Sequence, residues 1–358
     1  MSIKLTEYNI ANIKTIYDML EDQESKDIYL STFNYLITGN WSYICNIVET
    51  YLPDFSVLKK GNIYQLLANL SDNKMVYIYG AGCKAKNNIS VLKKYLKNFI
   101  FCDNDLKKQK SGFYGYDVIS VEKLISIYNG EKIIITPVMQ CEEIYNELRK
   151  KGIDSENLIK LSEYYCVASE NQYFGMEFIK YQDEEIFVDA GCANLSTTLR
   201  LNRKCNLKKV YAFEPDPSNF KECILRKENE KLDFVKMLPY GTWSENTQLC
   251  FQATNDGSSH ICNDGDITVD VISIDEVVDK KDNITFIKMD VEGSELESLK
   301  GAKATIQRNK PKLAICIYHK PEDIIEIPLY IKELVPEYKL YIRHHSNSNI
   351  ETVLYAIP

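Results

Sequence analysis

The chain has 358 residues, 45% of them apolar and 26% charged, which suits a globular protein of two domains better than a single core or a disordered chain. Its 51 acidic and 43 basic side chains give a formal charge of -8, and the lack of a long Lys/Arg block disfavours a nucleic-acid substrate. No stretch approaches about 18 consecutive apolar residues, so no transmembrane segment is predicted. The 11 cysteines form no C-x-x-C pair, which favours free thiols and a cytoplasmic location.

Residues 1–72 are predicted to form a helical segment. Apolar side chains recur there at helical spacing, for example at Ile13, Ile16 and Leu20. No residue of this segment suggests chemistry, so its apolar and aromatic side chains are interpreted as core.

Residues 73–168 are predicted to form a small Rossmann-like α/β domain. The apolar run MVYIYGAG ends in Gly80-Ala81-Gly82 and precedes a helix, and a second apolar run ends near Asp103. In dinucleotide sites such glycines let the backbone approach a pyrophosphate, while the acid reaches a ribose hydroxyl. Ala85 is closest to the place of the third glycine. This domain is predicted to bind a nucleotide sugar or to act as a docking module.

Residues 169–358 again alternate apolar strands with helices, which predicts a parallel sheet. The strands are read from the segments EIFVDAG, KVYAFEP, FVKMLPYG, ITFIKMDVEG and KLAICIY. Two more polar strands are joined by the loop NDGSSHICNDGD, and loops of this composition often contact substrate. Ser258, Ser259 and His260 are therefore predicted to bind the substrate.

The segment FVDAGCAN has the features of a nucleoside-binding turn. The strand ends at Asp189, and Gly191 removes side-chain bulk before a helix begins. The next strand ends at Glu214, whose carboxylate can accept both ribose hydroxyls. Pro215, which turns the chain aside, is also predicted to contact the cofactor. An acid at the end of the second strand occurs in both NAD and S-adenosylmethionine sites, whereas a single glycine in the first turn favours a ligand without a pyrophosphate.

The succession of VDAG, AFEPDP, PYGTWS, SIDE, KMDVEGSELESLKGA and PKLAICIYHKPEDIIEIPLYI resembles the FkbM family of S-adenosylmethionine-dependent methyltransferases. The resemblance covers nearly all of Phe174 to Pro358. It implies a class I, seven-stranded, Rossmann-like methyltransferase fold. It also implies methyl transfer to a hydroxyl oxygen, with sugars and polyketide-like natural products among the family's acceptors.

The resemblance also implies roles for individual residues. Asp189, Gly191 and Asn194 correspond to the methionine-binding turn, and Glu214 to the ribose acid. Gly241 begins the segment near the adenine, in which Trp243 is available for stacking. The family often has a second glycine where this chain has Leu195.

A sugar hydroxyl is too weak an acid to ionise at neutral pH, so O-methylation needs a general base or a metal. Asp290 and Glu292 follow one apolar strand, and His319 follows the strand expected beside it. These three residues are predicted to be catalytic, with His319 as a base oriented by Asp290. Alternatively, Asp290, Glu292 and His319 hold a divalent metal that binds the acceptor.

The sequence therefore predicts an S-adenosylmethionine-dependent O-methyltransferase acting on a hydroxyl of a sugar, glycoconjugate or related natural product. One alternative is an NAD(P)-dependent nucleotide-sugar-modifying enzyme, and another is a catalytically silent binding or scaffold protein. The expected partner is a small-molecule or glycan acceptor, and a homo-oligomer is left open.

Overall fold

The computed structural model describes residues 7–40, 42–52, 63–137, 140–164, 169, 171–252, 260–261, 265, 267–346 and 348–358. The chain divides into two compact units. The larger unit joins Met1–Phe55 to Ala168–Pro358, and the smaller unit is Ser56–Val167. The predicted helical segment 1–72 is thus shared between the two units, because its first helices pack on the sheet of the larger one.

Three helices open the larger unit: α1 (Glu7–Met19), α2 (Gln23–Thr38) and α3 (Ser42–Tyr51). Asp22 caps α2 by accepting a hydrogen bond from the backbone N–H of Ser25 at 2.8 Å, as an N-cap residue should. Ile16 and Ile28 are fully buried in the core shared with the sheet. The Ser25 hydroxyl in turn accepts the backbone N–H of Ile342 at 2.9 Å, which ties α2 to the sheet edge.

The smaller unit is a Rossmann-like α/β domain. Its sheet is wholly parallel, with strand order 3-2-1-4-5, and its strands are short apolar runs that alternate with helices. Its elements are α4 (Ile63–Asn69), β1 (Val76–Tyr79), α5 (Cys83–Tyr95), β2 (Phe99–Cys102), α6 (Leu106–Ser111), β3 (Val118–Ile119), α7 (Val121–Ile127), β4 (Lys132–Ile135), α8 (Cys141–Lys150) and β5 (Leu158–Lys160).

The larger unit continues with alternating strands and helices. They are β6 (Glu185–Ala190), α9 (Ser196–Asn202), β7 (Leu207–Phe213), α10 (Pro217–Asn229), β8 (Val235–Leu238), β9 (Gly241–Thr242), β10 (Thr247–Gln252), β11 (His260–Ile261), β12 (Ile267–Ile272), α11 (Ile274–Val277), β13 (Phe286–Met289), α12 (Glu295–Lys300), α13 (Lys303–Asn309), β14 (Lys312–Cys316), α14 (Asp323–Leu334), β15 (Lys339–His344) and β16 (Thr352–Ile357).

Seven of these strands form one sheet in the order β15-β16-β14-β13-β6-β7-β8. β16 runs antiparallel to the six other strands of this sheet, which are parallel to one another. This arrangement confirms the predicted class I methyltransferase fold. Because β6, β7, β13 and β14 are parallel, their carboxyl ends meet at one edge of the sheet, where ligands bind in open α/β folds.

A second sheet of four short strands, in the order β11-β10-β12-β9, carries a small apolar cluster of its own. Its strands β10 and β12 correspond to the two polar strands predicted from the sequence, to within one residue at each end. Among the described residues, no helix combines the length and apolar character needed to cross a bilayer.

Candidate active site

The turn after β6 forms the first wall of the site. The strand is buried along its whole length, and Gly191 follows it with φ of 75°. A Cβ atom on Gly191 would lie 1.9 Å from the carbonyl oxygen of Asp290, so only glycine fits this crossing. Leu195 has φ of 62° and so keeps the left-handed backbone that a glycine would adopt. That conformation costs about 1–2 kcal/mol in a non-glycine residue, and the fully buried Leu195 side chain offsets it.

Glu214 lies directly after β7 and is only 5% exposed. Its Oε2 accepts the backbone N–H of Ala193 at 2.8 Å, and its Oε1 accepts that of Asp216 at 3.0 Å. Burial raises the pKa of Glu214 to about 7, although these backbone hydrogen bonds lower it. Each carboxylate oxygen keeps a further lone pair, so the ionised group can also accept ligand hydroxyls.

A cavity opens between the Gly191 turn and the end of β13. The predicted cofactor residues Gly191, Glu214, Pro215 and Gly241 line it. The predicted catalytic residues Asp290 and Glu292 also line it, and the remaining wall is mostly small or apolar. That wall consists of Ala193, Phe213, Asn219, Tyr240, Thr242, Phe251, Ile261, Val291 and Ser294.

Asp189 lies beneath the turn and does not line the cavity. Its side chain is fully buried, accepts a hydrogen bond from the Thr198 hydroxyl at 2.7 Å and lies 3.3 Å from Lys288 Nζ. Lys288 Nζ also donates to the carbonyl oxygen of Gly191 at 2.7 Å. Burial lowers the pKa of Lys288, but the Asp189 and Asp290 carboxylates raise it more. Asp189, predicted to contact the cofactor, therefore shapes the turn through this ion pair.

Asn194 and Trp243 also lie outside the cavity wall. The Asn194 side chain accepts the backbone N–H of Ser196 at 3.1 Å, at the start of α9. Trp243 follows β9 and packs into the apolar cluster of the four-stranded sheet, which also contains Phe251 and Val271. The pairing of β9 with β12 places Trp243 there. The aromatic rings that line the cavity are instead those of Phe213, Tyr240 and Phe251.

Asp290, Glu292, Glu295 and His319 form a compact group that we call the carboxylate–histidine cluster. The first three follow β13 and His319 follows β14, and these strands pair side by side. His319 Nδ1 lies 2.8 Å from Glu295 Oε1, whereas its Nε2 lies 3.5 Å from Asp290 Oδ1 and 3.4 Å from Glu292 Oε2. Glu292 has φ of 52°, a conformation that is uncommon outside glycine and often marks functional sites.

The charges in this cluster are strongly coupled to one another. Burial lowers the pKa of His319, but the carboxylates of Glu295, Asp290 and Glu292 together raise it to about 10. Burial raises the pKa of Glu292 to about 7. Burial also raises the pKa of Asp290, but Lys288 and His319 lower it below its usual value. The carboxylates thus favour the protonated imidazole, whereas a general base must start unprotonated, which argues against the predicted role of His319 as a general base.

Three residues that were not predicted complete the surroundings of Asp290. The Tyr173 hydroxyl donates to Asp290 Oδ2 at 2.8 Å, and the Tyr318 hydroxyl lies 3.3 Å from Oδ1. The Tyr318 hydroxyl also lies 3.4 Å from Glu351 Oε2. Tyr173 precedes the first strand of the domain and Glu351 lies just before its last, so no motif spacing pointed to them.

The predicted substrate residues Ser258 and Ser259 lie outside the described residues. His260 is half-buried in β11, where it pairs with Gln252, and its neighbour Ile261 lines the cavity. The other histidines, His344 and His345, are buried. Their ring nitrogens lie at hydrogen-bond distance from the hydroxyls of Thr352 and Tyr355, respectively, which fits a packing role.

Comparison with known proteins agrees with this architecture. Over 134 residues the chain is 31% identical to the hexuronic acid methyltransferase AglP of Haloferax volcanii, a match that covers 35% of this chain and 53% of that protein. The chain thus spans about half the length of this curated relative. The crystal structure of a methyltransferase FkbM from Methylobacillus flagellatus superposes with a TM-score of 0.52 at 20% identity. That alignment covers 89% of this chain and 100% of the other, and it supports the fold.

The family model described as the methyltransferase FkbM domain matches residues 175–339. These residues include β6 to α14, the Gly191 turn, Glu214 and the whole carboxylate–histidine cluster. The chain therefore carries a methyltransferase domain of the FkbM family.

Proposed function

We propose that this protein is an S-adenosylmethionine-dependent O-methyltransferase that methylates a hydroxyl of a sugar, a glycoconjugate or a related natural product. The observation that carries the proposal is the continuity of the cavity. One side has a turn and an acid suited to a nucleoside, and the other side has the carboxylates Asp290 and Glu292. The FkbM domain supports the same assignment.

In this proposal the cofactor crosses the Gly191 turn. Glu214 accepts the ribose hydroxyls, because an acid at the end of the second strand is the usual ribose acceptor in such folds. Pro215 and Gly241 border the adenine, with Tyr240 and Phe251 as the nearby rings. The bare backbone at Gly191 leaves room for the methionine part, whose sulfonium then lies toward the carboxylates of the cluster.

The reaction is an in-line displacement at the methyl carbon. The carbon–sulfur bond breaks, its electron pair stays on sulfur, and the acceptor oxygen forms the new bond and loses its proton. Asp290 and Glu292 line the cavity, and His319 Nε2 lies 3.5 Å and 3.4 Å from their carboxylate oxygens. We assign all three residues to binding the acceptor hydroxyl, and the carboxylates of Asp290 and Glu292 to removing its proton. Holding the three reacting atoms in line supplies much of the rate.

A sugar acceptor is favoured by the similarity to a hexuronic acid methyltransferase. The net charge of -8 is unfavourable for a nucleic acid, which favours a glycan acceptor. A cytoplasmic location is part of the proposal because the cysteine pattern favours free thiols. The segment between β10 and β12, with His260, is the proposed contact to the acceptor.

The smaller unit is proposed to bind the nucleotide part of a sugar nucleotide. Its glycine turn is held by Asp103, whose Oδ2 accepts the backbone N–H of Ala81 at 2.7 Å and the ammonium of Lys108 at 3.0 Å. This contact repeats the one between Glu214 and the turn after β6. Binding of a uridine or guanosine diphosphate to the full chain, lost in Asp103→Ala, would support this part of the proposal. No binding by any nucleoside diphosphate would refute it.

The cofactor is tested by thermal shift of the full chain with S-adenosylhomocysteine and with NAD. We expect stabilisation by the first and none by the second, and loss of the shift in Glu214→Ala. Glu222→Gln is the matched control, because Glu222 is exposed on the helix that follows the same strand. Stabilisation by NAD alone would favour a nucleotide-sugar-modifying enzyme instead.

The activity is tested by mass spectrometry of glycans incubated with S-adenosylmethionine. We expect a mass gain of one methyl group on uronic-acid-containing oligosaccharides before neutral ones. Cofactor binding without methyl transfer to any sugar would favour the silent binding protein.

A further inference from the structure

His319 presents one ring nitrogen without a hydrogen bond. Its side chain is 9% exposed, and Nδ1 is occupied by Glu295. Within the part of the chain that the structure describes, Nε2 finds no hydrogen-bond partner although it is buried. The oxygens of Asp290 and Glu292 lie at ion-pair distance from Nε2, but neither meets the geometry of a hydrogen bond. A buried nitrogen that faces two carboxylates in this way calls for a specific explanation.

The spacing of the three groups is close to that of ligands on one cation. One donor atom each from Asp290, Glu292 and His319 can be chosen so that all lie within 4.8 Å of one another. Oxygen and nitrogen ligands about 2.1 Å from a metal stand about 3.0–3.4 Å apart when they are adjacent. The separations of 3.5 Å and 3.4 Å from Nε2 are close to this range.

Glu295 has the position of a residue that orients a metal ligand. In protein metal sites, a coordinating histidine usually donates its other N–H to a carboxylate. Glu295 Oε1 lies 2.8 Å from Nδ1, and the Glu295 side chain is fully buried. The same carboxylate accepts the backbone N–H of Val291 at 2.9 Å, so it is fixed to the turn that carries the two acids.

The balance of charge also favours a cation. Asp290, Glu292 and Glu295 surround His319, and Glu351 adds a further carboxylate close to Asp290, so a protonated His319 balances only one of these charges. A bound cation would replace the proton on His319 Nε2. The nearby cation Lys288 is already paired with Asp189. Excess negative charge in a buried site is costly unless a positive group compensates it.

We propose that Asp290, Glu292 and His319 bind a divalent cation of the Mg²⁺ or Mn²⁺ class, which holds the acceptor hydroxyl beside the transferred methyl group. This inference rests on the proposed function. Three protein ligands leave coordination positions open for acceptor oxygens, and carboxylate oxygens are the donors that these cations prefer. The cation withdraws electron density from the hydroxyl oxygen, and the released proton passes to a carboxylate of the cluster.

The binding test uses the purified full chain after EDTA has removed its metal ions. Mn²⁺ is titrated in, and the electron paramagnetic resonance signal of free Mn²⁺ is followed as it decreases on binding. We expect saturable binding at one site per chain, with affinity at least about tenfold weaker in Glu292→Gln and His319→Gln. Glu295→Gln should weaken Mn²⁺ binding by roughly 10–100-fold, the usual effect of losing an orienting partner. Glu326→Gln, on the exposed side of α14, is the control and should bind Mn²⁺ as the parent does.

S-adenosylhomocysteine binding, measured on every variant, separates this inference from the proposed function and reports on folding. Retained cofactor binding with lost Mn²⁺ binding supports the cation site. No saturable Mn²⁺ binding by a parent chain that binds S-adenosylhomocysteine would overturn the cation site and leave the methyltransferase proposal intact. Full turnover after EDTA treatment, or equal Mn²⁺ affinity in His319→Gln, would overturn it as well.

Discussion

Replacement of Gly191 by alanine should destabilise the larger unit and displace its catalytic edge. The new Cβ would stand 1.9 Å from the carbonyl oxygen of Asp290, a backbone atom that cannot rotate away. Alanine would also have to adopt φ of 75°. The left-handed backbone costs about 1–2 kcal/mol and the overpacking about 1–3 kcal/mol, so we expect a loss of about 2–5 kcal/mol.

Gly39→Ala isolates the contribution of the clash. Gly39 belongs to the same unit and has φ of 65°, but nothing lies within 4 Å of the position that its Cβ would take. The control should therefore lose only the conformational part, about 1–2 kcal/mol. The assay is urea unfolding followed by tryptophan fluorescence and circular dichroism, with S-adenosylhomocysteine affinity measured in parallel. Equal midpoints for the two variants, or unchanged cofactor affinity in Gly191→Ala, would refute the close approach of the two strand ends.

Other residues give independent predictions. Burial raises the pKa of Glu214 to about 7, and ribose hydroxyls donate to its ionised form. S-adenosylhomocysteine affinity should thus be full above about pH 7 and fall by up to about tenfold per pH unit below it. Calorimetry from about pH 8 down to about pH 5.5 measures this dependence. An equal pH dependence of the affinity in Glu214→Gln would contradict the prediction. Lys312→Met leaves the Glu185 carboxylate buried without its cation and should lower the free energy of unfolding by about 3–5 kcal/mol, measured by urea unfolding. Lys208→Met removes the cation of the exposed pair with Glu184 and should leave urea unfolding unchanged. Leu195→Gly relieves a strained backbone but removes a fully buried side chain, so a net loss of about 1–4 kcal/mol is expected and a more stable variant would contradict it.

Much of the fold was predictable because its strands are short apolar runs that end in glycine or acidic residues. The positions of Gly191, Glu214, Asp290 and His319 followed from the rule that parallel strands place their carboxyl ends at one edge. The seven-stranded sheet was confirmed. Strand ends are local features, so sequence alone could identify them.

The direction of a side chain after a strand end was not predictable in the same way. Asp189 and Glu214 both lie at the ends of buried strands, but Asp189 forms a buried ion pair with Lys288 on the neighbouring strand. Trp243 was expected at the adenine, and the pairing of β9 with β12 instead packs it into a separate cluster. Tyr173 reaches Asp290 across 117 positions of the chain, and no spacing rule covers a contact of that range.

The division of the first 72 residues could not be predicted because amphipathic helices do not specify the surface they cover. Their spacing shows that one face is buried. The structure supplies the partner: α2 packs on β15, and the Arg343 guanidinium lies 2.6 Å from Asp22. The sequence therefore predicted that these residues form helices, but it did not predict which apolar surface the helices cover.

The pairing of α2 with β15 has a consequence for biosynthesis. Ser25 and Ile342 are hydrogen-bonded although 317 positions separate them, and the whole smaller unit is translated between them. On the ribosome the smaller unit can complete its own sheet first. The apolar faces of α1 and α2 stay uncovered until β15 has been synthesised. Nascent chains that stall before Lys339 should therefore expose these apolar faces, and such chains are expected to bind chaperones.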